Sequence, residues 1–367
     1  MKIREMKITT TVLRNEVGPL WIFVLIKCLI RKRVIFNSTH WARQNTVEAR
    51  FASRLAFTAA VYSVLSEMFD RDEAFRIVSK IIVPIGACEQ WDNLRSLDVE
   101  NKNGIERLGK FYDFMGEGGS GQFVRRKLVE RSDKLLQFEV RECLFARFFE
   151  QVGMLELATL LCKVDRAFFP TAIPDYEFSR NDSWENTAAY KKDHCEFKFE
   201  KKNSFVDEKY IRETLLLDFT HPGIQMLYED LDLPYKTDEK KINFIYEYVK
   251  REIKAANSAG KIKPASKVLK QRRGSNTKKT ILFMALLRAG GVPCRVHFVT
   301  TSKGIQSRAE IFYQGEWVGI ARWIDHGGIA PVDYGAWGQE NTNAWGVSVL
   351  DDHGVFDSPD SFYKERL

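Results

Sequence analysis

Apolar positions recur at helical spacing from Val47 to about Ile82, where Phe57, Ala60, Val61, Val64, Leu65 and Met68, then Phe75, Val78, Ile81 and Ile82, form stripes. Ahead of them, Pro19 to Ile30 (PLWIFVLIKCLI) is the most hydrophobic stretch near the start. Entered through Gly18-Pro19, it predicts a helix buried in the core. It is too short to span a bilayer, carries Lys27, and runs straight into Arg31, Lys32 and Arg33 with no small-residue cleavage site. An interfacial membrane anchor is the alternative. Phe111 to Gln122 (FYDFMGEGGSGQ) interrupts the helical pattern with four glycines and predicts a loop or turn. It lacks a preceding strand and a following Lys-Ser/Thr pair, so it is no phosphate-binding loop.

Lys134 to Val140 alternates through Leu136, Phe138 and Val140 and predicts a strand. A helix follows from Cys143 to about Val152, Gly153 interrupts it, and a second helix runs from Leu155 to about Val164. Tyr176 to Phe178, a polar turn through Asn181 and Asp182, and a strand from Cys195 to Phe199 close this half. The polar run Lys201-Lys202-Asn203 marks a domain boundary, giving domains of 1–203 and 204–367. Beyond it, Asp238 opens a helix with Ile242, Ile245, Val249 and Ile253 on one face. Thr277 to Ala289 is apolar nearly all round, the mark of a buried helix. Gly290 and Gly291 end it, Pro293 prevents its continuation, and Cys294 to Thr301 follows as a strand. Ala309 to Tyr313 and Trp317 to Trp323 read as a hairpin turning at Gln314-Gly315. His221, just before Pro222, reads as a turn cap, and the tail from Asp333 as covering loops.

Composition narrows the class. The chain has 367 residues, 44% hydrophobic and 29% charged, enough for two domains and unlike a disordered chain. A net charge of +7 is modest for this length. Eight Lys or Arg and no acid lie between Lys261 and Lys279, but no aromatic residue interleaves them, so the run reads as a solvated face and not a nucleic-acid site. Six scattered cysteines without a CxxC pair read as reduced thiols, which points to the cytoplasm.

Two resemblances carry the functional expectation. The run FEVRECLFARFFEQVGMLELATLLCKVDRAFF, the Phe178-x-Arg180 pair and the closing Cys195-x-Phe197-x-Phe199 resemble the L-2-amino-thiazoline-4-carboxylic acid hydrolase family, over roughly residues 15 to 200. Its marks fall on Cys143, Gly153, Glu156, Leu157, Cys162, Asp165, Arg180, Cys195, Phe197 and Phe199. The chain departs from the pattern at Asn181-Asp182-Ser183-Trp184 and at Lys192-Asp193-His194. The resemblance implies hydrolysis of a cyclic C–N bond in a small thiazoline acid. That chemistry needs a nucleophile, a proton donor and a cation for the carboxylate. Cys143, Cys162 or Cys195 would supply sulfur, Glu142, Glu156 or Asp165 the carboxylate, and Arg180 the cation, with His194 beside Cys195 as a substrate contact. Adjacent strand residues face opposite ways, which counts against a His194–Cys195 dyad. Irregular spacing of the cysteines argues against zinc, and buried apolar thiols are the plain alternative for Cys143 and Cys162.

In the other half, ASKVLKQRRG followed by ALLRAGGVPCR resembles the transglutaminase-like superfamily of papain-like cysteine acyl-transferases and proteases. The resemblance implies a nucleophilic Cys at the helix N-terminus, a His on a neighbouring strand and an Asp on the next. Counting back from Arg288 puts Asn276 at the Cys position, with Ser275 as the competing register. Gln306 stands at the His position and Ala321 at the Asp position. None of these titrates near neutral pH, so this domain is expected to be catalytically inactive. His297, Asp325 and His326 are the nearby groups that a different arrangement would use.

The expectation is therefore an α+β chain of two domains, a mostly helical α+β N-terminal one and a transglutaminase-like α+β C-terminal one. The N-terminal domain is expected to be a hydrolase acting on a small cyclic or sulfur-containing amino-acid-type substrate, with no cofactor and no metal. The competing reading is a non-catalytic two-domain pseudoenzyme whose papain-like cleft recognises a peptide, acyl group or carrier protein. Neither reading involves nucleic acid or a membrane span.

Overall fold

Helices come first in the N-terminal unit, and side-chain caps explain where two of them start. α1 (Ile3–Val17) and α2 (Trp21–Asn37) flank the Gly18-Pro19 corner. α3 (Val47–Leu65) opens where Thr46 accepts the Ala49 N–H at 3.0 Å. α4 (Arg71–Arg95) opens where Asp70 accepts the Glu73 N–H at 2.8 Å, with Asp72 and Glu73 in its first turn. Both caps satisfy amides that have no intrahelical partner, and the acids suit the positive end of the helix dipole. The computed structural model describes residues 3–97, 99, 104–117, 123–180, 187–202, 207–256, 261–301, 304–320 and 349–364. These fall into two compact units, Met1–Asn203 and Ser204–Leu367, and both are α+β.

After α5 (Gly104–Glu117), the N-terminal unit forms a sheet from β1 (Val124–Arg131), β2 (Leu135–Cys143), β3 (Tyr176–Ser179) and β4 (Cys195–Lys201). Its order is β1-β2-β4-β3, antiparallel throughout. α6 (Leu144–Gln151) and α7 (Thr159–Ala172) lie between β2 and β3 in the chain. β2 sends Leu136, Phe138 and Val140 inward, as strand alternation requires. They meet Phe168 and Phe169 of α7, Leu108 and Phe111 of α5, and Phe199 of β4 in one core.

Three expectations need correction here. The Pro19–Ile30 stretch is not a core helix: α2 buries only Val24 and Cys28, and most of its other apolar side chains face solvent. A run that is apolar all round does not say which side a neighbour covers. Phe111 to Glu117 is not a loop but the end of α5, because Leu108, Phe111, Tyr112 and Met115 continue the helical spacing past Gly109; residues 118–122 lie outside the described residues. The second helix of this half starts with a 3-10 turn, Leu155–Ala158, and α7 continues through Pro170 to Ala172.

The C-terminal unit holds α8 (Pro222–Asp230), α9 (Asp238–Glu252), the short parallel pair β5 (Lys254–Ala255) and β6 (Arg273–Gly274), α10 (Ala265–Gln271) and α11 (Asn276–Ala289). His221 does cap α8, its Nδ1 accepting the Gly223 N–H at 3.1 Å. α11 is buried at Thr277, Lys278 and every position from Thr280 to Ala289. It packs on a sheet of β7 (Cys294–Thr301), β8 (Gly304–Tyr313), β9 (Glu316–Gly319) and β10 (Val349–Phe356), ordered β10-β7-β8-β9 and antiparallel. A last helix, α12, spans Pro359–Lys364.

α11 ends as its two glycines foretell. Gly291 takes φ 71°, and the N–H groups of Gly291 and Val292 turn back to the carbonyls of Arg288 and Leu287. Arg288 is fully buried and acts as a clamp: it donates to the Arg212 carbonyl at 2.6 Å, to the Cys294 carbonyl at 2.9 Å, and to the Asp357 carbonyl. A buried cation is tolerated here because backbone oxygens surround it. The β8–β9 hairpin turns at Gln314 and Gly315, both at positive φ, as a two-residue turn demands.

Candidate functional site

A helix, two strand ends and a helix N-terminus bring four titratable groups to one arginine in the N-terminal unit. Cys162 and Asp165 are three residues apart on α7 and so share a face. Arg180, just past β3, is buried to 4% exposure and forks between them. One guanidinium nitrogen donates to the Cys162 Sγ at 3.4 Å and the other to the Asp165 carboxylate. Its flat face stacks on Phe197, 3.9 Å from the ring centre. Cys195 accepts the Ala188 N–H at 3.0 Å, and Cys143 ends β2 as the residue before α6. All five side chains line a cavity of about 430 Å³.

Burial dominates the electrostatics. It pushes the Asp165 carboxyl up to about 6, with Arg180 pulling the other way. Burial likewise raises the Cys162 thiol against the pull of Arg180, and raises Cys143 to about 12 against the amides of Ala146 and Phe145. For Arg180, burial opposes the charge, but Cys162, Asp165, Cys195 and Cys143 outweigh it and hold the guanidinium above its ordinary value. Near neutrality the resting state is an Arg180–Asp165 ion pair beside the protonated thiols of Cys162 and Cys143.

The rest of the wall is mostly apolar and aromatic, with Phe111, Met115, Phe138 and Phe145 among its members. Its charges lie elsewhere along the cavity. Arg54 is tied to Glu89 at 3.2 and 3.0 Å, and Arg50 is exposed. Arg126 of β1 is half-buried, donates to the Tyr112 carbonyl at 2.9 Å and lies 4.3 Å from the Tyr112 ring centre. Among the described residues it makes no ion pair. Sequence reasoning missed Arg126, because VRRKLVER is exposed on nearly every position and hides the strand period.

Other candidates stand apart from this cavity. Glu156 is exposed and accepts the Tyr62 hydroxyl at 3.1 Å; Glu142 is exposed and pairs with Arg125 at 3.2 Å. Neither carboxylate lines the cavity. His194 is half-buried and does not line the cavity either. Among the described residues, no group of three or more His, Cys, Asp or Glu is placed to hold a metal ion.

In the C-terminal unit, Asn276 is the first residue of α11 and Ser275 its cap residue. The Asn276 Oδ1 accepts the Ser307 N–H at 3.0 Å, one residue beyond Gln306, which is half-buried on β8. Ala321, Asp325 and His326 lie outside the described residues. His297 is committed elsewhere: its Nε2 lies 2.6 Å from Asp352, and its Nδ1 lies 4.0 Å from Glu310, which also receives Arg295 at 2.6 Å.

Residues 47–199 match the L-2-amino-thiazoline-4-carboxylic acid hydrolase family. Residues 225–325 match the transglutaminase-like superfamily. The N-terminal unit is thus hydrolase-like and the C-terminal unit transglutaminase-like, as the two resemblances implied. No curated protein matches the chain. Among solved structures, a candidate protease from Parabacteroides distasonis is 11% identical over 39% of this chain and 35% of that one, with a TM-score of 0.23. A candidate cysteine protease from Cytophaga hutchinsonii is 14% identical over 40% of this chain and 61% of that one, with a TM-score of 0.20. The chain therefore spans less than two thirds of either.

Proposed function

We propose that the N-terminal unit is a hydrolase for a small cyclic or sulfur-containing amino-acid-type substrate, with Cys162 as the nucleophile. The observation that carries this reading is the Arg180 fork, which sets one cation against both a thiol and a carboxylate in the wall of one pocket. Arg180 stabilises the thiolate, and Asp165, with a pKa of about 6, accepts the thiol proton near neutral pH. The Cys162 sulfur adds to the electrophilic carbon of the ring, the C–N bond breaks, and Asp165 hands its proton to the departing nitrogen. Water then cleaves the carbon–sulfur link and returns the thiol. Because Arg180 is already engaged by Asp165, the substrate carboxylate belongs on Arg126, which makes no ion pair among the described residues although Asp113 lies near enough to favour its charge. A volume of about 430 Å³ lies within the range of about 300–1,000 Å³ usual for small-molecule sites. It leaves room for an apolar substituent beyond a bare five-membered ring.

The C-terminal unit is proposed to be a non-catalytic, transglutaminase-like binding domain that lodges a peptide, acyl group or carrier protein. Asn276 and Gln306 favour this, since neither can generate or accept a charge there. The test is incubation of the full chain with L-2-amino-thiazoline-4-carboxylate and related cyclic amidines, followed by mass spectrometry. Ring-opened product with wild type and none with Cys162→Ala supports the reading. Ligands that raise the melting temperature yet stay chemically intact would instead favour the pseudoenzyme.

A further inference from the structure

The solvent side of α2 is apolar over most of its length. Ile22, Phe23, Ile26, Leu29, Ile30 and Val34 are between 47% and 71% exposed, Phe23 the most. At 100° per residue these six fall within an arc of about 140°, opposite the buried Val24 and Cys28. The same helix carries Lys27, Arg31, Lys32 and Arg33 and no acidic residue. Lys27 and Arg31 reach Glu67 beside the arc, and Lys32 lies on its other flank. Arg33 is exposed and falls within the arc near the C-terminal end of the helix. An apolar stripe with cations at its margins and end is the pattern of a helix that lies in a membrane interface.

We propose that this face of α2 docks on an anionic lipid surface. The apolar side chains would enter the boundary between headgroups and acyl chains, and the flanking cations would meet lipid phosphates. Spanning is excluded on length and charge: 17 residues reach about 25 Å and four of them are cationic. A second copy of the chain fits less well. Lys27 and Arg31 are paired with Glu67, but pairing two such helices brings Lys32 and Arg33 of each together with no acid on either helix to offset them.

The experiment is cosedimentation of the full chain with vesicles of phosphatidylcholine alone or mixed with phosphatidylglycerol. The chain is expected to pellet with the mixed vesicles, less with neutral ones, and less again as salt rises. Phe23→Ser with Ile30→Ser is expected to lower partitioning about a hundredfold, roughly tenfold for each large apolar side chain. Arg33→Gln is expected to lower it about fivefold, the effect of one cation near an anionic surface. Circular dichroism verifies the fold, and where the double variant fails to fold, Arg33→Gln and the salt dependence decide. Wild type that stays in the supernatant overturns the proposal. So does undiminished binding by a folded double variant, or equal binding to both vesicle types. A reversible dimer that the same substitutions disrupt, without lipid binding, would assign the face to a second copy instead.

Discussion

Substituting Asp165 by Asn removes one titration while keeping the size of the side chain and an oxygen for Arg180. The folded carboxyl has a pKa of about 6 against an ordinary 3.8, because burial penalises its charge more than Arg180 favours it. A folded pKa above the unfolded one means that the folded state holds the proton more tightly. The stability this contributes is fully present below pH about 4 and is lost as the pH rises through about 6. Each tenfold change in proton affinity is worth about 1.4 kcal/mol, so the loss comes to about 3 kcal/mol. Urea unfolding of wild type and Asp165→Asn across this range reads it as a difference. Wild-type stability minus that of the variant is expected to fall by about 3 kcal/mol between pH about 4 and 7, then level off. Carboxylates such as Glu73 and Glu139, lowered by hydrogen bonds from Arg76 and Arg141, slope the other way but cancel in the difference. Parallel profiles, or a difference that rises with pH, would refute the reasoning. The second result would mean that Arg180 outweighs burial.

Three further outcomes are expected. Arg126→Met raises KM about 10- to 100-fold while kcat changes little, because a carboxylate anchor acts in ground and transition state alike; a fall in kcat with unchanged KM in steady-state kinetics would contradict that role. Arg288→Met leaves the Arg212, Cys294 and Asp357 carbonyls without their donor, at about 1–3 kcal/mol each. Thermal unfolding of the C-terminal unit should therefore show a loss of at least about 3 kcal/mol, and one below about 1 would show that water replaces the clamp. Asn276→Cys with Gln306→His is expected to give a thiol that iodoacetamide alkylates readily, whereas Ser275→Cys with Gln306→His is not. The reverse result would make Ser275 the relic of the nucleophile.

Legibility of the chain varied with how much each segment's own pattern constrains its surroundings. α11 was readable because an apolar surface on all sides leaves burial as the one stable outcome, and Gly290-Gly291 supplied its stop. α2 has much the same composition but a different fate, since only two of its residues are buried against the rest of the unit. Local pattern cannot report that. α5 was obscured by glycines that its last turn tolerates, and β1 by polar residues on both faces. At the site, Cys143, Cys162, Asp165, Arg180 and Cys195 were nameable from a resemblance spread over some fifty residues, but the fork joining three of them depends on where β3 ends against α7. Arg126 reaches the same cavity from a strand with no motif at all.

The central claim is that Cys162 attacks the substrate within the Arg180 fork. Intact-protein mass spectrometry with peptide mapping, during turnover of a slowly hydrolysed cyclic amidine acid, tests it most directly. The expected result is one transient adduct on the peptide carrying Cys162, absent in Cys162→Ala and longer-lived when the water step is slowed. An adduct on Cys143 or Cys195, or turnover that survives Cys162→Ala, would contradict the account.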